Sequence, residues 1–547
     1  MNKKLQHIAI AFFTLFFINY LFNSVYKRFD LTQNKRYTIS QTSISLINKI
    51  EKNIFINIYL EGDFPAEFKR LQTETRQFLE ELKAINTHIQ FRFINPATIR
   101  ERLIKKGMMP SQLTVEEDGK LSEAIIFPWA EISIDKKTTL VSLLPNSLAK
   151  TQESQLQNAI EKLEYSFADA INRITKKEKQ KIAVISGNGE LDDIYLYSLL
   201  SEVGKKHHLA KFTLDSVSKN PQKTISDLTK YDLAIIAKPT ERFTEQEKFT
   251  LDQFITNGGK SLWMVDTNYA DTDSLYNEGK MLAFPRDLNI TDLLFSYQIR
   301  INNKLIQDLY SAKIPLATGN LANQAQFKHL NWFYHPLVNG NSNHSITKSI
   351  APVRFRFTTQ IDTLKGTIKK TPLLVTSVLT KKIGTPNFIE LQSIAKQPKE
   401  SQYNSGPQLL AVLLEGKFNS AYKNRTKPFK TPLFKPESTT NKMVVIADGD
   451  IAKNQILKGK PHDLSLDKWT GEQFGNKDFL INTIDYLLDD TGLINLRNKT
   501  ITINLLDKQK AYSQKRFWQF INIGVPLLLL GLFGFIFNYL RKKKYAK

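Results

Sequence analysis

There is no cysteine among the 547 residues. Disulfides, thiolate metal sites and cysteine nucleophiles are excluded together. Histidine is scarce, with eight scattered residues, and no His-Glu-x-x-His pair or Gly-x-Ser-x-Gly elbow is present. Acidic residues are outnumbered, 53 Asp and Glu against 76 Lys and Arg, for a net charge of +23. Such an excess suits nucleic acid or an anionic membrane. The basic residues are spread thinly, however, with no arginine-rich arm and no basic stripe interleaved with stacking aromatics. Nucleic acid is therefore not an expected partner.

A complete P-loop is also missing. The string FITNGGKSLWMVD, Phe254 to Asp266, ends like one at Gly259-Lys260-Ser261. A P-loop needs a glycine five residues before Gly259, and Phe254 stands there. The order is reversed as well, because Asn257-Gly258-Gly259 follows a helical pattern and precedes a strand. Glycine in that place ends a helix, and the carbonyls of a helix C-terminus repel phosphate.

Two uncharged apolar spans enclose the rest. Leu5–Tyr26 is long enough to cross a bilayer. Bulky Tyr20, Leu21, Phe22 and Tyr26 stand where a cleaved signal peptide needs small residues, so we read an uncleaved signal anchor. Phe517–Leu540 is the second span, with Trp518 and Tyr539 at interfacial positions and Pro526 inside. Arg541, Lys542, Lys543, Lys544, Lys547, Lys3 and Lys4 outweigh Lys27, Arg28, Lys515 and Arg516. Both termini are then cytoplasmic and residues 28–515 lie outside.

The part between the spans reads as α/β. Residues 28–150 form a small domain of thioredoxin-like size. Ser40 caps a short helix with Ile44, Leu46 and Ile47 on its apolar face. IFINIYLE is a strand, and Pro65 opens a helix carrying Phe68, Leu71, Phe78, Leu82 and Ile85. HIQFRFIN is a second strand, and two strand pairs follow, the first turning at Asp118-Gly119. Residues 151–181 are a helix and a solvated linker. The helix stripe is Leu156, Ile160, Leu163, Phe167, Ala170, Ile171 and Ile174. From 182 to 500 strands alternate with helices, KIAVISG, LAKFTLD, YDLAIIAKP, KSLWMVD and KMVVIADGD among them, which implies a doubly wound parallel sheet. Thr244 and Glu247 form a capping box. An irregular β-rich insertion occupies about 300–440.

Ligands of doubly wound folds bind at the carboxyl edge of the strands. Any ligand here would sit where Gly187, Asn188, Gly189 and Glu190 approach Lys238 and Asp266. Gly187-Asn188-Gly189 offers amides for an anion, although a tight turn capped by Asp192 is the reading we favour. Ala447–Asp450 offers carboxylates, but a strand-ending turn accounts for it and no His spacing supports a metal. We expect no catalytic residue, no metal and no cofactor.

RFDLTQNKRYTIS, SGNGELDD, DLAIIAKPTERFTEQEKFTLDQFITNGGKSLWMVD, MLAFPRDLNITDLLFSYQIRINNKLIQDL, KMVVIADGDIAKNQ and FGNKDFLINTIDYLLDDTGLINLRNK resemble the GldG family. These are gliding-motility-associated ABC-transporter auxiliary, or substrate-binding, proteins of Bacteroidota. The resemblance runs nearly end to end. It implies a GldF-like permease and a GldA-like ATPase as partners, and a middle region like a glutamine amidotransferase without activity. The missing cysteine agrees. In the family a His stands between the glycines of the GxGE loop, whereas this chain has Asn188, which argues against a catalytic or metal role there. The implied function is a non-catalytic envelope subunit, facing the periplasm from the inner membrane. The alternative is a membrane-tethered binding protein that hands a soluble ligand to the permease. An amidotransferase- or hydrolase-like enzyme is disfavoured.

Overall fold

The computed structural model describes residues 13–14, 16–17, 38–62, 66–117, 120–144, 152–176, 178–321, 324–498 and 508–545. The span at 5–26 lies outside them except for four helical residues, and so do Pro65 and the turn at 118–119. The chain divides into two units, 1–499 and 500–547.

In the first unit the alternation of IFINI becomes β1 (Ile54–Ile58), with Ile54, Ile56 and Ile58 buried and Phe55 exposed. That is the two-residue period of a strand with one face on a core. The helix Ala66–Ile85 buries Phe68, Leu71, Leu79 and Leu82 as one stripe. β2 (Ile89–Phe93) then pairs parallel with β1. The hairpin of β3 (Ser111–Glu117) and β4 (Lys120–Ile126) is a ribbon of its own. β5 (Trp129–Ile134) and β6 (Lys137–Ser142) are antiparallel and complete a four-stranded sheet in the order β2-β1-β5-β6.

The helix Gln152–Thr175 follows, and every residue of its expected stripe is buried. Phe167 meets Phe78 at 5.6 Å between ring centroids. Glu164 accepts from Ser40 N and from Ser43 Oγ, both at 2.8 Å. The helix therefore clamps the short helix Gln41–Ile47, whose N-cap is Ser40 as expected.

β7 (Lys181–Ser186), β8 (His208–Thr213), β9 (Leu233–Ala237) and β10 (Lys260–Met264) are parallel. Successive residues face opposite cores. Ile182, Leu233 and Leu262 join one with the helices Asp193–Lys206 and Asn476–Leu488. Ala183, Ala234 and Trp263 join the other with the helix Glu245–Thr256. Burial on both faces explains why β7, β9 and β10 read as near-continuous apolar runs, whereas β8, at the sheet edge, is half-exposed and mixes in His208, Lys211 and Thr213. The capping box at Thr244 and Glu247 is present, and the helix ends at Asn257 with Gly258 at φ +104. Lys260 then starts β10, so the P-loop-like string runs from helix to strand, opposite to a P-loop.

Beyond β10 lie β11 (Asn268–Tyr269), β12 (Lys280–Pro285), β13 (Ile299–Asp308), β14 (Ser311–Leu321), β15 (Gln324–Val338), β16 (Val353–Arg354), β17 (Thr359–Thr363), β18 (Lys369–Val375), β19 (Thr380–Ile383) and β20 (Asn387–Glu390). They build three small sheets, β11-β12-β20, β17-β13-β19 and β14-β15-β16. β18 is the exception. With β21 (Leu409–Asn419) it extends the main sheet on its antiparallel side, next to β22 (Glu437–Ile446). The main sheet is β18-β21-β22-β10-β9-β7-β8. Part of the stretch expected to be an irregular insertion thus belongs to the central sheet. Its pairing is set by distant register, not by local pattern.

In the second unit the helix Lys515–Tyr545 is long and apolar enough to cross a membrane. It has Pro526 in its interior, no buried residue, and Lys542, Lys543 and Lys544 in its last turn.

Candidate functional site

Across the parallel strands, chain order reverses between β7 and β9. A crevice is expected at the carboxyl edge of such a point. The loops after β7 and β9 meet there, but they meet each other. Thr240 N and Glu241 N both donate to Asn188 O at 2.9 Å, Thr240 Oγ1 donates to Gly189 O, and Leu191 N donates to Ala237 O. Gly189 has φ +69, and a Cβ there would collide with Thr240.

The amide of Asn188, a candidate for an anion, donates to Glu190 Oε2 at 2.8 Å. The Asn188 side chain is buried and donates to Glu247 Oε2 at 3.1 Å. Burial raises the Glu190 carboxyl against the pull of its amide bonds. The chain's own carboxyl thus takes the Asn188 amide, while Glu190 Oε1 and Asn188 Oδ1 are buried without a partner among the described residues. Asp192 holds the N-cap position of the next helix but makes no side-chain cap bond. The loop is fixed instead through Glu190 and Leu191.

Lys238 and Asp266 come together in a separate cluster with the turn after β22. Lys238 directly follows β9 with φ +56, a conformation in which non-glycine residues are strained. Its ammonium lies 2.5 Å from Asp450 Oδ1 and 3.5 Å from Asp266 Oδ2. Asp448 accepts from Asp450 N at 2.7 Å and from Arg356 N at 2.6 Å, and Gly449 N donates to Asp266 Oδ1 at 2.6 Å. A side chain on Gly449 would run into Lys238.

One oxygen from each of Asp266, Asp448 and Asp450 lies within 4.8 Å of the others. These donors suit a hard cation, and the Lys238 ammonium stands where such a charge would be. Burial alone would depress Lys238, yet Asp450 and Asp266 hold it well above its ordinary value. Burial likewise opposes ionisation of Asp450, but Lys238 and Lys453 keep that carboxylate low. Asp448 and Asp266 are pushed up, first by burial. The cluster is a buried ion pair with two further carboxyls held toward their neutral form.

Beside Asp450 the molecule opens into a cavity of about 630 Å³, within the range of ligand pockets. None of the six expected site residues lines it. Its inner wall comes from β15 and the segment after β16. Phe355 N donates to Pro336 O and Phe357 N to Tyr334 O, each at 2.9 Å. This pairing sets His335 opposite Arg356. Arg354 is buried, bonded to Asp467 at 2.5 Å and stacked 4.5 Å from the Phe474 ring. The half-buried Arg356 guanidinium has no ion pair or hydrogen bond among the described residues.

His335 is 3% exposed, and neither ring nitrogen has a partner among the described residues. Its ring stands edge-on to Phe357. Burial, then Arg356 and Arg354, hold the imidazole well below its usual value, so it is neutral. Leaving a buried polar group unbonded costs about 1–3 kcal/mol, and this ring leaves both nitrogens unbonded. Sequence reading missed His335 and Arg356. The available signal was VRFRF, whose alternation puts two arginines on one side of a strand with Phe355 and Phe357 on the other.

A family model described as "ABC-type uncharacterized transport system" matches residues 179–483. A domain of unknown function, DUF7088, matches residues 33–133. No curated protein matches this chain. Among solved structures, the "mmIFT52 N-terminal domain" is 14% identical over 57% of this chain and 99% of that one, with a TM-score of 0.33. A superposition that loose carries no argument.

Proposed function

Because the chain belongs to the ABC-type uncharacterized transport system family, whose auxiliary members serve ABC transporters, we propose that it is a non-catalytic envelope subunit of such a complex. It works with a GldF-like permease and a GldA-like ATPase in gliding motility of Bacteroidota. Residues 5–26 and 517–540 hold it in the inner membrane, with both termini cytoplasmic and residues 28–515 periplasmic. The observation that carries this reading is the helix Lys515–Tyr545, apolar and unburied along its length and basic at its end. A body tethered in the membrane meets its permease at high effective concentration, which suits coupling better than diffusive capture.

Strand order supports reading the four-stranded sheet as thioredoxin-like. The five parallel strands, β22 pairing parallel with β10 and all but the edge strand β8 covered on both faces, support a glutamine-amidotransferase-like domain. The alternative, a tethered binding protein, is favoured by the cavity beside Asp450 rather than by the crevice at Asn188.

The test replaces 517–540 with an unrelated membrane helix. Loss of permease and ATPase from the detergent-purified complex, together with loss of motility, is the expected result. Full assembly with the foreign helix would refute the coupling role.

A further inference from the structure

The cavity beside Asp450 goes beyond the subunit reading, because its unspent groups define a ligand. We infer that it binds a small anionic molecule, a phosphate ester or a carboxylate, whose anion pairs with the Arg356 guanidinium while a neutral polar group meets the His335 imidazole. Four observations carry this.

The charges lining the cavity are mostly spent on one another. Arg354 is taken by Asp467, Lys453 lies between Asp271 and Asp450, and Lys313 faces Glu472. Lys468 reaches the Ile456 carbonyl. Among the described lining residues Arg356 is the inner cation with no ion pair or hydrogen bond, its field reaching Asp450 without contact, while the unpaired carboxylate, Asp273, is exposed. A guanidinium prefers a planar or tetrahedral oxyanion that can take two of its donors.

His335 supplies one donor and one acceptor in its neutral form, both unmade. Each nitrogen has under 1 Å² of open surface, so a ligand group reaches the ring from the cavity it lines by a small shift of the wall. A volume of about 630 Å³ fits a small molecule. Finally, Phe327, Trp469 and Tyr276 are exposed at 59%, 56% and 37% and line the same cavity. They give flat apolar contact to the uncharged part of the ligand.

The experiment is equilibrium dialysis of the full-length protein in detergent micelles against inorganic phosphate, glycerol 3-phosphate and citrate. Saturable binding of at least one probe is expected, and which of them binds separates phosphate from carboxylate headgroups. Arg356→Gln should weaken it by about tenfold or more, the loss of a charge-assisted bond. His335→Phe should weaken it as well, whereas Asn188→Ala should bind like the unaltered protein. Thermal melting verifies that each variant is folded. If His335→Phe fails to fold, the half-buried Arg356→Gln decides alone. No saturable binding of any probe, or undiminished binding by Arg356→Gln, overturns the inference. Either failure leaves the permease co-purification untouched, and loss of co-purification leaves the dialysis untouched.

Discussion

The crevice at Asn188 and the cavity at His335 lie along one edge of the same sheet, yet they differ in how their polar groups are used. At Asn188 two loops are stitched by backbone bonds and the chain supplies its own carboxylate, Glu190. At His335 both imidazole nitrogens are buried without a partner, and the Arg356 side chain opposite makes no ion pair or hydrogen bond among the described residues. Asn188 Oδ1 and Glu190 Oε1 are also buried without a partner among the described residues, so the difference lies in charge and space: the crevice spends its amides on the chain itself, whereas the cavity holds a cation and a whole imidazole beside open volume. The first region should therefore matter for stability and the second should not.

The largest effect is expected between them, at Lys238→Met. Removing the ammonium leaves Asp266, Asp448 and Asp450 buried without their cation, at a cost of about 3–5 kcal/mol in urea unfolding. The pH dependence follows from the direction of each shift. Lys238 is raised, so its contribution is complete below its ordinary 10.5 and is lost as the pH rises through its folded value. Asp450 is lowered, so its contribution is complete above 3.8 and is lost as the pH falls through its folded value. The advantage over the variant should narrow toward both extremes. A deficit independent of pH would mean that the ion pair is not its source.

Gly189→Ala comes next. A left-handed backbone and the Thr240 contact should cost about 1–3 kcal/mol, read from thermal or urea unfolding. A neutral result would show that the two loops are not locked together.

Least affected are Arg356→Gln and His335→Phe. Neither removes a bond, so Arg356→Gln should stay within about 0.5 kcal/mol, and His335→Phe, which also removes two unmade bonds, should be neutral or stabilising. A loss above about 2 kcal/mol in either would mean that these groups have structural partners, and the contrast with Asn188 would collapse.

The parallel strands were legible in the sequence because burial on both faces writes an apolar run, as in Leu233–Ala237. The long helix was legible because its stripe keeps one period from Leu156 to Ile174. The box at Thr244 and Glu247 is a local signal and was read locally. β18 and β21 look like any other strands, and only their pairing with β22 assigns them to the central sheet. The acidic turn at 448–450 was visible, but not that Lys238, some 210 positions earlier, would fill it. The cavity was hidden for the same reason, since His335 and Arg356 meet through strand register.

The helix Gln152–Thr175 has a mechanical consequence. One side carries Phe167 against Phe78 of the small sheet's helix. Another carries Ala168 and Tyr165 against Leu493 and Leu496, with the Arg497 guanidinium 5.2 Å from the Tyr165 ring. Twenty-four helical residues make a rod of about 36 Å. Its two seats, Phe167 on one side and Tyr165 with Ala168 on the other, fall within one turn, so the rod is gripped at a single level and spaces the small sheet's helix from the segment 493–498 by one helix diameter, roughly 10–12 Å.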